Sequence, residues 1–398
     1  MRYIYLLALL AVMLFSVNLF ANTDSLQNIR TTQDAVYRRP FIGNLGNSTS
    51  IGGYAEANTN YFSQSGVSEG FSMEMRRFNL FVYSSISSRI KLLAELEFEH
   101  GTEEIALETA MLDFEIDPAL VFRGGIILAP IGGFNQKHDS PLYEFIDRPM
   151  VSTQIIPATL SEMGFGVNGK LFFGESFIAT YDAYLVNGLR DGIILNSDGR
   201  TLLRRGRVME MFEESHNGVP SVTGKIALRH RQYGEIGISA YRGIYNSFRK
   251  EGIDVDERRA VLITALDYSL AISSITIQGE VAMNTIDVPA NLKEINGSKQ
   301  LGFYTDVIFP VTTFTMLDYA NTVLNLNARI DYIDYNIGTF AATGGNIGDE
   351  VTALSFGVSL RPTTTSVFRV NYRNSNIVDI VGNSVVNKGI QFGFATYF

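Results

Sequence analysis

Glu95, Glu97 and Glu99 recur at every second position along one short segment, with Lys91 just ahead of them. Carboxylates at that spacing share one face of an extended chain. A close pair could do acid and base work if its surroundings split the two proton affinities. A second concentration of titratable groups runs through Lys137, His138, Asp139, Glu144, Asp147 and Arg148. Hydrolysis would need more, either a nucleophile with a positioned base or several ligands at metal spacing. His100, His138, His216 and His230 stand far apart, none in a serine-elbow pattern and no two at metal-ligand spacing. The chain has no cysteine, so thiol nucleophiles, thiolate zinc sites and disulfides drop out. The expectation is that the chain is not an enzyme and holds no cofactor and no metal, its charges acting as a wall rather than as reagents.

The elements that would position such a wall are strands. In 89–99, Ile90, Leu92, Ala94, Leu96 and Phe98 oppose Lys91, Glu95, Glu97 and Glu99. The same period of two returns where Ile275, Ile277, Val281 and Met283 oppose Thr276, Gln278 and Glu280. It returns again where Leu354, Phe356 and Val358 oppose Ser355, Gly357 and Ser359. Candidate strands fall near 49–62, 73–84, 89–99, 105–116, 120–128, 163–174, 176–186, 222–231, 234–245, 259–270, 272–284, 298–309, 321–333, 350–360, 366–374 and 388–398. Segments of about ten residues with alternating polarity, joined by short and long turns in alternation, mark a transmembrane barrel. Lipid makes closure compulsory, because an open sheet edge leaves backbone groups unpaired at several kcal/mol each. The expected fold is therefore all-β: a closed antiparallel transmembrane β-barrel of about 16 strands, 18 at most. The 27 Phe and 19 Tyr suit aromatic girdles at the two interfaces.

The chain ends fit this compartment. Arg2 followed by the apolar run Ile4 to Phe15, with Ala21 closing the segment, reads as a secretory signal peptide over 1–21. Residues 22–48 are polar and are expected to lie in the periplasm ahead of a barrel spanning 49–398. Ile390, Phe392, Phe394, Thr396 and Phe398 share one face, and an aromatic end resembles the signal read by the barrel-assembly machinery. The expected location is the outer membrane of a Gram-negative (diderm) bacterium, with outer-membrane lipid as partner. A net charge of −9 gives no footprint for nucleic acid.

One stretch resembles a known family. Arg76-Arg77-Phe78-Asn79-Leu80-Phe81-Val82, Glu95-Leu96-Glu97-Phe98-Glu99-His100, Arg123-Gly124-Gly125, Ala129-Pro130-Ile131-Gly132 and His138-Asp139-Ser140-Pro141 are similar to phosphate-selective porin-like proteins (porin O/P type). The resemblance is strongest between about Gly52 and Gly169. It implies a water-filled channel for small, charged, hydrophilic solutes, sometimes anions, and a homotrimer. The acidic balance and the row Glu95, Glu97, Glu99 depart from an anion-selective pattern and argue against specificity for phosphate.

Between 129 and 161 the alternation stops and Pro130, Gly132, Gly133, Pro141, Pro149 and Pro157 intervene. A connection this long is usually functional. It is expected to fold into the lumen as a constriction, placing Lys137, His138, Asp139, Glu144, Asp147 and Arg148 where solutes pass beside Arg77, Lys91, Glu95, Glu97, Glu99 and Arg123. A second connection, Arg190 to Pro220, is expected to be exposed with its charges solvated. The competing reading is a non-conducting barrel acting as surface adhesin or structural protein, which would require a plugged lumen.

Overall fold

The computed structural model of the chain describes residues 29–42, 49–68, 70–101 and 103–398. The signal peptide expected over 1–21 lies outside them. The strands are β1 (Thr49–Gln64), β2 (Phe71–Ser85), β3 (Ile90–Glu99), β4 (Glu104–Asp117), β5 (Leu120–Leu128), β6 (Ser161–Phe173), β7 (Phe177–Val186), β8 (Ser221–His230) and β9 (Gly234–Ile244). After them come β10 (Arg249–Lys250), β11 (Ile253–Asp254), β12 (Ala260–Ile272), β13 (Ile275–Ile286), β14 (Lys299–Met316), β15 (Tyr319–Asp334), β16 (Glu350–Thr363), β17 (Ser366–Val378) and β18 (Ser384–Tyr397). β10 and β11 form a separate hairpin, and the other sixteen make one closed antiparallel barrel, as the alternation predicts. Closure pairs β1 with β18 from Tyr54↔Tyr397 to Gln64↔Asn387. Phe398 extends it, exchanging backbone hydrogen bonds with Gly53 and stacking its ring on Phe78 at 5.6 Å. Gly53 has to be glycine here, because a Cβ would sit 2.0 Å from the carbonyl oxygen of Asn79.

Burial is inverted relative to a soluble protein. Outward side chains such as Phe165, Ile226, Ile238 and Phe356 are exposed, whereas inward Asn79, Asp306, Ser359 and Arg369 are buried. A wall that is oily outside and polar inside is the pattern of a barrel in lipid. Tight turns, such as Pro118-Ala119 and Ser273-Ser274, share the end at which β1 begins and β18 finishes. All the long connections leave the opposite end.

The lumen is filled rather than open. Residues 129–160 turn inward, and Ile131, Met150, Val151, Ile155, Ile156 and Leu160 pack on inward Leu93, Met111, Ile263 and Ile333 in one apolar cluster. The segment expected in the periplasm behaves differently from that expectation. Residues 31–42 lie inside the barrel, toward the end with the tight turns. The Thr32 N–H donates to Glu235, Gln33 donates to Asp182, and Lys170 pairs with Asp34. Inward carboxylates of the wall supply partners that bulk water would otherwise provide. The second long connection is also a partial correction. Its Arg204, Arg205, Glu210, Glu213 and Glu214 are exposed as expected, but Leu189, Ile193, Leu202, Leu203 and Met211 fold back into the apolar cluster.

Candidate functional site

The insert is held by a set of wall side chains that face the lumen. The Gly133 and Phe134 N–H groups donate to Glu280 Oε2 at 2.5 and 2.9 Å, and the Ser152 hydroxyl donates to Glu280 Oε1. Asn371 and Asp331 accept from the Ile146 and Met150 N–H groups. Arg369 donates to the carbonyl oxygens of Ser140 and Phe145. These partners come from three strands, β13, β15 and β17, so the insert spans the lumen rather than lying on its rim.

On the side of the long connections, the insert and the wall enclose a vestibule of about 550 Å³. It is lined by Arg76, Arg77, Arg148, Arg204, Arg207 and Arg373 with Glu97, Glu99 and Asp147. Arg76 and Arg77 both face inward although they are consecutive. The pairing steps from Glu56↔Arg77 to Ala57↔Met75, and the extra residue on β2 is Arg76. A bulge of this kind re-aims a side chain that alternation would send outward. Asp147 bridges Arg76 at 3.0 Å and Arg373 at 3.1 Å. Burial alone would raise its pKa, but these two guanidinium groups outweigh it and hold the carboxyl at about 2. Arg77 is shared between Glu56 at 2.9 Å and Glu99 at 2.6 Å. Arg148 reaches only a 3.8 Å contact with Glu97, and among the described residues no carboxylate pairs with Arg204 or Arg207.

Beneath the vestibule lies a second knot. Arg39 of the N-terminal segment reaches Glu95 at 2.8 Å and Asp139 at 2.8 Å, with its guanidinium carbon 3.5 Å from the Phe81 ring centroid. Burial would raise the pKa of Asp139, but Arg39 outweighs it and keeps the carboxyl below its usual range. His138 is fully buried beside them, its Nε2 3.3 Å from Glu108 and 3.8 Å from Glu95. Burial opposes its protonation, yet the Glu108 and Glu95 carboxylates win and raise its pKa well above the ordinary value. Potential metal-ligating atoms of Glu95, Glu108 and His138 lie within 4.8 Å of one another.

The twelve residues singled out in the sequence thus divide. Arg77, Glu97, Glu99, Asp147 and Arg148 meet in the vestibule. Glu95, His138 and Asp139 meet in the knot below. Glu144 turns to Arg361 at 2.6 Å. Lys137 lines a small cavity with Asp267 and Glu280, where burial lowers its pKa. Lys91 and Arg123 do not join the site; they pair with Glu115 and Asp113 in the half with the tight turns. Sequence reasoning missed Arg39, Arg76 and Glu108 and read Arg204 and Arg207 only as solvated charge. The consecutive Arg76-Arg77 was the one available signal for the first bulge.

No family model matches the chain. An uncharacterised protein of Aquifex aeolicus (strain VF5) is 25% identical over 375 residues, covering 87% of this chain and 80% of that one. An anion-selective porin from Comamonas acidovorans covers 88% of this chain and 99% of its own, at 12% identity and a TM-score of 0.52. The trimer form of OmpT, an outer membrane protein of Vibrio cholerae, covers 88% and 100% at 10% identity and a TM-score of 0.51. At such identities the likeness is one of fold: a sixteen-strand barrel of the architecture found in outer-membrane porins.

Proposed function

We propose that the protein is an outer-membrane porin through which small, charged, hydrophilic solutes diffuse passively, and that its long-loop mouth favours anions. The observation carrying this reading is the charge left over in the vestibule. Arg76, Arg77 and Arg373 are cancelled by Asp147, Glu56 and Glu99, and the largely buried Arg148 is loosely matched by Glu97, which leaves Arg204 and Arg207 exposed. Pore selectivity follows such local charge rather than net charge, so an acidic chain can present a basic mouth. The resemblance to phosphate-selective porin-like proteins and the likeness to an anion-selective porin support the same sign; nothing in the vestibule singles out phosphate. On this reading residues 1–21 are removed on export, residues 49–398 sit in outer-membrane lipid, residues 129–161 set the aperture, and three copies assemble as in the Vibrio cholerae protein. None of the clustered groups is assigned a catalytic role.

One observation favours the second reading, a barrel that conducts little or not at all. The apolar cluster joining the insert, Leu203 and the wall fills part of the lumen with buried apolar side chains. Single-channel recording of the refolded, signal-free protein, with reversal potential under a salt gradient, separates the two. Stable steps with an anion-sided reversal support the porin, steps with a cation-sided reversal remove the anion preference, and folded protein without steps favours the plugged barrel.

A further inference from the structure

The knot below the vestibule has the composition and geometry of a metal site. Glu95 comes from β3, Glu108 from β4 and His138 from the insert, and all three are buried. Glu108 reaches the lumen only through a second bulge. The pairing steps from Glu95↔Thr109 to Leu96↔Leu107, so Glu108 is the extra residue and points inward together with Thr109. Bulges tend to occur where a particular side chain has to be re-aimed.

The orientation of His138 is fixed by its other nitrogen. Nδ1 lies 3.0 Å from the Asn135 carbonyl oxygen, which can only accept, so Nδ1 carries a hydrogen and Nε2 is turned toward the carboxylates. A backbone carbonyl holding one ring nitrogen is the usual support for a ligating imidazole. His138 Nε2 and Glu108 Oε2 are both buried and neither makes a hydrogen bond. An imidazolium donating to a carboxylate would close to about 2.7–2.9 Å. The separations of 3.3 and 3.8 Å instead suit two ligands of one tetrahedral ion, which stand roughly 3.4 Å apart at metal–ligand distances near 2.1 Å.

Charge points the same way. Glu95, Glu108 and Asp139 carry three negative charges against Arg39 and a protonated His138, and a divalent cation that takes the place of the Nε2 proton would balance them beside a neutral imidazole. Glu108 also lines a cavity of about 490 Å³ shared with Glu97, Glu99 and Glu104 and with Arg204, Arg205 and Arg207, which gives an ion a polar route from the vestibule side.

We propose that Glu95, Glu108 and His138 form a binding site for a divalent transition-metal cation, such as Zn²⁺ or Mn²⁺, which ties the insert to the β3–β4 wall. One imidazole with two carboxylates suits borderline divalent ions of this kind. The site is independent of whether the barrel conducts.

The test is calorimetric titration of the EDTA-stripped, refolded, signal-free protein with ZnCl₂ and with MnCl₂. One ion per chain is expected, with binding weakened at least 30-fold in His138→Gln and Glu108→Gln and unchanged in Glu251→Gln, which alters an exposed turn between β10 and β11. Heat-modifiable electrophoretic mobility checks that each variant is a folded barrel. Should the variants fail to fold, Co²⁺ bound to the unaltered protein keeps the question open to measurement: a d–d spectrum with one imidazole ligand by X-ray absorption supports the site. Absence of stoichiometric binding, equal affinity in the folded variants, or a bound Co²⁺ without imidazole overturns it.

Discussion

Arg39 meets Asp139 edge-on, Nε to Oδ2 at 2.8 Å and Nη2 to Oδ1 at 2.9 Å, joining the N-terminal segment to the insert inside the barrel. The same guanidinium holds Glu95, and the Tyr397 hydroxyl donates to Asp139. The N-terminal segment and the insert are thereby clamped to one another and to the wall. Arg39→Met removes the cation and leaves two buried carboxylates uncompensated, a loss of about 3–5 kcal/mol for a broken buried pair. The expected result is release of residues 29–42 into a protease-sensitive state with the barrel intact, together with larger or more frequent conductance steps. Limited proteolysis and single-channel recording read the two effects separately, and unchanged protection would show that the clamp is not what docks the segment.

Glu280 holds the insert from the opposite wall. It accepts from two backbone N–H groups and one hydroxyl, and hydrogen bonds to a charged group contribute about 1.5–3 kcal/mol each. Glu280→Ala should therefore weaken docking by about 3 kcal/mol or more while sparing the sheet. Trypsin cleavage after Lys137 or Arg148 is the measurement, expected to be minimal in the parent protein and to rise in the variant, with β-sheet circular dichroism unchanged.

The barrel itself was legible because lipid leaves the sequence little freedom. Every strand must alternate, and all sixteen candidate segments coincide with barrel strands. The bulges were not legible. An extra residue at Arg76 or Glu108 reverses the local parity, so alternation assigns the wrong face to one residue while the flanking pattern survives. β14 likewise runs beyond the expected end at 309, because Pro310 sits at a register shift where its missing N–H does little harm. The inward fold of residues 129–160 was expected, but its docking partners were hidden, since Asn371 and Arg369 lie more than 200 positions away. Residues 31–42 looked solvated because a polar segment has the same composition whether its partner is water or Glu235. The apolar content of the second long connection was the one overlooked clue, as a fully solvated loop has no use for Leu189, Ile193, Leu202 and Leu203.

Charge reversal in the vestibule should act through the unpaired arginines. At about 10 Å in water one charge contributes roughly 0.4 kcal/mol, about a factor of two in local ion concentration. Each charge moves the two ion signs in opposite directions, so Arg204→Gln with Arg207→Gln should shift the anion-to-cation permeability ratio about sixteenfold toward cations. Asp147→Asn should shift it toward anions. Arg123→Gln, in the opposite half and paired with Asp113, should leave it unchanged. Reversal potentials under a salt gradient test all three, and an equal effect of Arg123→Gln would mean that charge acts along the whole lumen.

Acid should release the insert late. The Asp147 carboxyl titrates at about 2 in the folded protein, below the ordinary aspartate value, so its contribution is fully present above pH of about 4 and is lost as pH falls through about 2. Step size is expected to hold steady from pH 7 to about 4 and to change below that, as the bridge from Arg76 to Arg373 loses its anion. Asp147→Asn should show the altered step already at pH 7. A wild-type transition centred near pH 6 would assign the gate to another group.

The outer face can be tested by comparing two isoleucines that are equally bare. Ile238 on β9 faces outward beside Ile226 and Leu266 and is 58% exposed; Ile253 in the β11 hairpin strand is 68% exposed. If exposure were the only difference between positions, Ile238→Arg and Ile253→Arg would both be nearly neutral. In a bilayer they diverge, because Ile238 lies on a barrel strand that crosses the apolar band and Ile253 belongs to a connection beyond it. Arginine near the midplane of a barrel's lipid face costs about 2–4 kcal/mol, falling to about 0–1 near the interfaces. Denaturant unfolding of the protein reconstituted in lipid vesicles should show that loss for Ile238→Arg and next to none for Ile253→Arg. Equal values would contradict a lipid-embedded barrel, because the apolar belt would then have no oil to face.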